Sequence, residues 1–133
     1  MGNRAVIAFS KDPNSTGIYV HWNGGLESVL AFLEVCKRRN YRDPSEDPQF
    51  ALARLIGVIH EFFNKGDSLG VGPLRELDVD NDDNGAYLVG RNWKISERWG
   101  VGYSVDRSLE NVRGANREKY DGIVSQLMGE AKA

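Results

Sequence analysis

The sequence predicts an α+β fold, a largely antiparallel β-sheet packed with two to three α-helices, and two observations carry that prediction. Hydrophobic period switches between two and about three and a half along the chain. The predicted order is strand, strand, helix, helix, four strands, helix, which lacks the regular alternation of a parallel βαβ fold. The chain of 133 residues is expected to form a single domain, 1–133, large enough for a real core.

The first elements are the β-branched and aromatic runs Ala5 to Phe9 and Ile18 to Trp22, joined by the turn-forming "SKDPNSTG" into a hairpin. Leu26, Val29, Leu30, Leu33 and Cys36 then recur at steps of three and four, the spacing of one helical face. Lys37, Arg38 and Arg39 meet the negative end of that helix and Asn40 can close it.

"YRDPSEDPQF" is a linker whose second half starts another helix, with Asp47 offering an N-cap oxygen and Pro48 pre-set for the first helical position. Leu52, Leu55, Ile56, Ile59, Phe62 and Phe63 form its apolar face, and Gly57 in its middle is expected to permit close packing. Period two returns in "SLGVG", "LRELDV", "AYLVGRNWKI" and "WGVGYSV", the middle pair turning at "DNDDNG". From Asp106 onward helix propensity rises, with Tyr120, Ile123, Val124 and Leu127 on one face.

Hydrophobic residues at 41%, charged residues at 27% and a net charge of −2 are ordinary for a soluble protein and argue against a partner that is a nucleic-acid polymer. No apolar run approaches the roughly 18 residues of a membrane span, and no signal peptide is expected. A lone cysteine, Cys36, excludes an intrachain disulfide and fits a reducing cytoplasm.

"WNGGLES" stands where a strand hands over to a helix. There Asn23, Gly24 and Gly25 make either a plain turn or a seat for an anion on converging backbone donors. The motif is similar to the SGGxDS loop of the ATP pyrophosphatases, but Asn23 replaces serine, Glu27 replaces aspartate, and the repeated βα units of such enzymes are missing.

In "DVDNDDNGAYLVGR", Asp80, Asp82, Asn84 and Gly85 match the first, third, fifth and sixth positions of a calcium loop, yet Arg91 occupies the place of the bidentate glutamate. An acidic hairpin tip turned by Asn84 and Gly85 is the better reading. Neither a metal site nor a cofactor is expected. His21 and His60 lack partners at ligand spacing, and no catalytic constellation emerges.

Arg54 lies off the apolar face of its helix, and Arg113 and Arg117 are four apart, so these guanidinium groups are candidates for phosphate. Tyr87, Trp93, Trp99 and Tyr103 offer aromatic faces that are either core or stacking platforms.

Together "GIYVHWNGG", "ARLIGVI" and "DNDDNGAYLVGRNW" resemble the phage family of Thoeris anti-defence protein 1, over most of residues 5 to 95. The resemblance implies a noncatalytic sponge, a homo-oligomer built from dimers in the cytoplasm of the infected bacterial host. It would sequester a cyclic ADP-ribose isomer, and in some members cyclic di- or trinucleotides, starving Thoeris or CBASS effectors of their signal. By that resemblance Arg54 holds phosphate, Arg113 or Arg117 supplies a C-terminal arginine contact, Tyr87 packs base or ribose, and Asn84 bonds the ligand or only makes the turn. A protein-binding inhibitor and a signal-cleaving enzyme are the alternatives.

Overall fold

The structure, a computed structural model of the chain, describes residues 2–64, 69–100 and 115–129. Strands β1 (Ala5–Ala8) and β2 (Thr16–Val20) precede helices α1 (Leu26–Arg38) and α2 (Pro48–Phe63). Strands β3 (Leu69–Pro73), β4 (Ala86–Val89) and β5 (Ile95–Trp99) follow, then helix α3 (Ala115–Met128). The five strands form one sheet in the order β3-β2-β1-β4-β5, antiparallel except where β1 and β4 run parallel. The α+β class is therefore observed.

Strand alternation divides the sheet into two faces. Ala5, Ile7, Ile18, Val20, Tyr87 and Val89 join the core beneath the helices, with Val29, Phe32 and Leu33 of α1, Leu55 and Ile59 of α2, and Ile123 and Leu127 of α3. Val6, Ala8 and Ala86 point the other way, where Leu74, Leu77 and Val79 cover them. Among the described residues no helix is long and apolar enough to cross a membrane.

Five expectations change. "LRELDV" is not a strand: Leu74–Glu76 is a 3₁₀ turn, Leu74 N–H donates to Ser15 O, and the segment crosses the sheet's second face. Gly17 leaves room for it, since a Cβ there would lie 3.1 Å from Leu77 Cδ1. The hairpin expected at "DNDDNG" is absent because β4 leaves that loop to pair with β1, Val6 opposite Ala86.

"AYLVGRNWKI" is two strands. Asn92 and Trp93, at φ 61° and 60°, turn the chain so that β4 and β5 pair with each other. "WGVGYSV" contributes Trp99 to the end of β5, and residues 101–114, including the expected start of the last helix, lie outside the described residues.

Asp47 does sit at the N-cap of α2, but its carboxylate accepts from Arg42 Nη1 at 2.8 Å in place of a helix N–H. Gly57 faces open space, with nothing within 4 Å of a Cβ built there, so it permits no close packing.

The end of α1 matters most for the site. Asn40, at φ 59°, takes the left-handed position just past the helix; its N–H donates to Lys37 O, and Tyr41 N–H reaches back to Cys36 O. This paired closure is a Schellman motif, and it fixes where Tyr41 emerges. Arg39 then ties three helices together, donating to both oxygens of Glu61 on α2 at 3.2 Å and to Leu127 O on α3.

Candidate functional site

The sequence-derived residues separate into three places. Asn23, Gly24, Gly25, Asn84 and Tyr87 gather at the start of β1, where their polar groups bond to the protein itself. Gly24 N–H donates to Asn3 O at 2.7 Å, and Tyr87 Oη donates to Gly24 O at 2.8 Å. Asn23, left-handed at φ 61°, reaches Ser28 Oγ at 3.4 Å. A carboxylate of the chain already stands at the turn, because a Cβ on Gly25 would lie 3.0 Å from both oxygens of Glu27.

Asn84 Nδ2 donates to Asn3 Oδ1 at 2.6 Å and to Arg4 O. Tyr87 is fully buried, and the Arg98 guanidinium stands 4.5 Å from its ring centroid. The ring of Tyr87, expected to pack base or ribose, is part of the core and shielded from solvent in the chain as it stands. The glycine turn is a packing device, since a Cβ on Gly24 would fall 2.5 Å from Asn3 O and 2.7 Å from Ala5 Cβ.

The acidic loop that follows β3 is organised by a residue the sequence reading passed over. Asn81 is 2% exposed, and its Oδ1 accepts from the N–H groups of Asp83, Asn84 and Gly85 while Nδ2 donates to Asp78 O and Gly85 O. Asp83 accepts from Arg4 Nε at 2.8 Å and from Arg4 N–H at 2.9 Å. Those bonds hold its carboxyl below the usual carboxylate range. Five acids between Glu76 and Asp83 look in the sequence like a ligand cage, whereas an asparagine amide holds their backbone together.

Arg117 lies in the first turn of α3, 3.7 Å from Asp121 and 5.5 Å from the centre of the Tyr120 ring. Arg113 and Tyr103 lie outside the described residues. Trp93 is buried edge-on to Phe9, and Trp99 is half-buried with Lys11 Nζ 5.1 Å from its ring.

Arg54 is the candidate with a free approach. It projects from the exposed side of α2, its guanidinium carbon 5.7 Å from the centre of the Tyr41 ring. One helical turn earlier, Phe50 is 50% exposed, and Arg42 stacks over it at 4.4 Å. Asn40 and these four residues line a shallow pocket of about 230 Å³ with no acid in its wall. Among the described residues Arg54 has no carboxylate partner.

A second hollow of about 280 Å³ adjoins it through Asn40, Tyr41 and Arg42 and extends to Lys37, Asp43, Glu46, Asn92 and Trp93, so two acids stand in its wall. Its edge is rigid. Asp43 accepts from the Ser45 hydroxyl at 2.7 Å, Ser45 N–H at 2.9 Å and Asn92 N–H at 2.8 Å, which lowers its pKa, the Ser45 hydroxyl first among the causes.

Two guanidinium groups over two aromatic rings offer charge-assisted bonds to phosphate oxygens and flat faces for a base. Tyr41, Arg42 and Phe50 were passed over as linker. Their signal was the four-residue step from Phe50 to Arg54, which puts both on one side of α2, and the asparagine that closes α1 immediately before Tyr41. No family model, curated protein or solved structure matches the chain.

Proposed function

We propose that this protein binds and holds a small phosphate-bearing nucleotide signal without cleaving it. In the reading that its resemblance to the Thoeris anti-defence protein 1 family implies, the ligand is a cyclic ADP-ribose isomer or a cyclic di- or trinucleotide. Sequestration in the cytoplasm of an infected bacterium then deprives a Thoeris or CBASS effector of its activator.

The supporting observation is Arg54 standing over Tyr41 with no carboxylate partner among the described residues, beside Arg42 over Phe50, around a pocket with no acid among its lining residues. No acid lines that wall, although Asp47 already accepts from Arg42 Nη1 at 2.8 Å, and a guanidinium bond to phosphate is of the strong, charge-assisted kind. The pocket of about 230 Å³ is smaller than the ~300–1,000 Å³ typical of small-molecule sites. A second copy closing over Phe50 would supply the missing wall, in keeping with an oligomer built from dimers.

The test incubates purified protein with a cyclic ADP-ribose isomer, removes free ligand, denatures the complex and separates what emerges by chromatography. Intact signal that again activates an effector supports sequestration. A linear or hydrolysed product makes the protein an enzyme. No retained nucleotide, together with capture of the effector itself, makes it a protein-binding inhibitor.

A further inference from the structure

A larger cavity, about 680 Å³, lies between the turn after β1 and the start of α2. Its chemistry differs from that of the Arg54 pocket: none of its ten lining residues carries a formal charge. Segment 42–50 contributes to both, Arg42 and Phe50 to one and Ser45 and Gln49 to the other.

Several polar atoms in this wall have bonding capacity left. Ser10 Oγ accepts from Asp12 N–H, which leaves its own proton to donate. Asn14 Oδ1 accepts from Arg75, leaving the amide nitrogen, and the Ser45 hydroxyl donates to Asp43, leaving its lone pairs. Thr16 and Gln49 are exposed, and among the described residues their side chains form no hydrogen bond. Phe9 and Leu52, both half-buried, provide apolar wall.

No lining residue is itself a cation or a carboxylate, and the nearby Arg75 and Asp43 are bonded to Asn14 and Ser45. A neutral ring that carries both donors and acceptors on an apolar body matches hydroxyls and amides on an apolar wall, and the volume is that of an ordinary small-molecule site. We propose that this cavity binds a neutral polyhydroxylated ring, either the ribose of a nucleoside or a free sugar. The site is separate from the Arg54 pocket and stands whether or not that pocket holds a nucleotide.

The experiment titrates the isotope-labelled full chain with adenosine, and separately with methyl glucoside, while backbone amide shifts are followed. Movement at Ser10, Thr16, Ser45 and Gln49 with adenosine alone identifies a nucleoside, and movement with methyl glucoside identifies a sugar ring. Thr16→Val combined with Gln49→Ala changes two exposed side chains and weakens the binding at least about tenfold, whereas Arg54→Ala leaves it unchanged. The proposal is overturned if neither probe moves these amides at millimolar concentration. It is equally overturned if the double variant binds as the parent does, or if the shifts centre on Tyr41 and Phe50 and vanish in Arg54→Ala.

Discussion

Tyr87 donates its phenolic proton to the carbonyl of Gly24 at 2.8 Å, joining the middle of β4 to the entrance of α1 across 63 positions of sequence. Both residues are buried, so Tyr87→Phe leaves a peptide carbonyl without a partner, a loss worth about 1–3 kcal/mol. Thermal or denaturant unfolding measures it. Nucleotide affinity is expected to stay at the parent value; a large loss of affinity with little loss of stability would return Tyr87 to a ligand site.

The two glycines of "WNGG" behave differently under the same substitution. Gly24→Ala drives a Cβ to 2.5 Å from Asn3 O, a backbone atom that moves only with β1, and is expected to cost about 1–3 kcal/mol. Gly25 has φ −66° and ψ 161°, open to any residue, and the nearest atoms to its added Cβ are the carboxyl end of the Glu27 side chain, at 3.0 Å. Gly25→Ala is therefore expected to unfold within about 0.5 kcal/mol of the parent. Equal melting of the two variants would show that the tight approach at Gly24 is not what holds the turn.

Sequence period revealed the helices and the first hairpin because these elements are bounded by local signals: Asn40 closing α1 and Pro48 opening α2 both act within a few residues. The partner of β4 was hidden because its choice is tertiary. The run through Leu74, Leu77 and Val79 has the apolar content of a strand, yet those side chains cover Val6 and Ala8, and β1 is the strand left for Ala86–Val89 to join. Arg54 was legible as an off-face cation on a helix. Tyr41 and Phe50 were not, because Tyr41 stands in the linker and Phe50 in the first turn of α2, off the apolar face, and only the fold sets their rings beneath two guanidinium groups.

Gly57 lies in the middle of α2, and outside the helix's own backbone nothing comes within 4 Å of a Cβ built on it, so it contributes only backbone freedom to the unfolded chain. Gly57→Ala is expected to stabilise by about 0.5–1 kcal/mol. Gly122 in α3 is equally unobstructed and should show the same gain. Denaturation midpoints of both single variants and the double variant test this, with the two gains adding. A loss at Gly57 would reveal a contact that needs the missing side chain.

Acid sensitivity is expected at the β1 terminus. Asp83 has its pKa lowered, chiefly by the Arg4 side-chain bond and then by the Arg4 N–H, so its native form prefers the ionised state more than the unfolded chain does. Stability from this pair is therefore present above the unfolded carboxyl pKa of about 3.9 and is lost as pH falls through the lower native value. Asp83→Asn should flatten that part of the stability profile while remaining less stable than the parent near neutrality. Unfolding between about pH 6 and pH 2 measures the slope, and parallel profiles for parent and variant would remove Asp83 from the account.

Of the three arginines named from sequence, Arg54 and Arg117 lie among the described residues and stand in different places. Arg54 lines the acid-free pocket beside Tyr41, whereas Arg117 lies beside Asp121 on α3 and lines neither that pocket nor the hollow next to it. If the Arg54 pocket holds phosphate, Arg54→Ala removes a charge-assisted bond worth about 1.5–3 kcal/mol, a loss of roughly ten- to a hundredfold in affinity for a cyclic ADP-ribose isomer. Arg54 is exposed, so the melting temperature should scarcely move. Arg54→Lys keeps the charge but not the fork or the flat face over Tyr41, and should recover only part of the loss. Titration calorimetry on Arg54→Ala, Arg54→Lys and Arg117→Ala gives the comparison. Affinity that falls for Arg117→Ala and holds for Arg54→Ala would move the phosphate site to the start of α3.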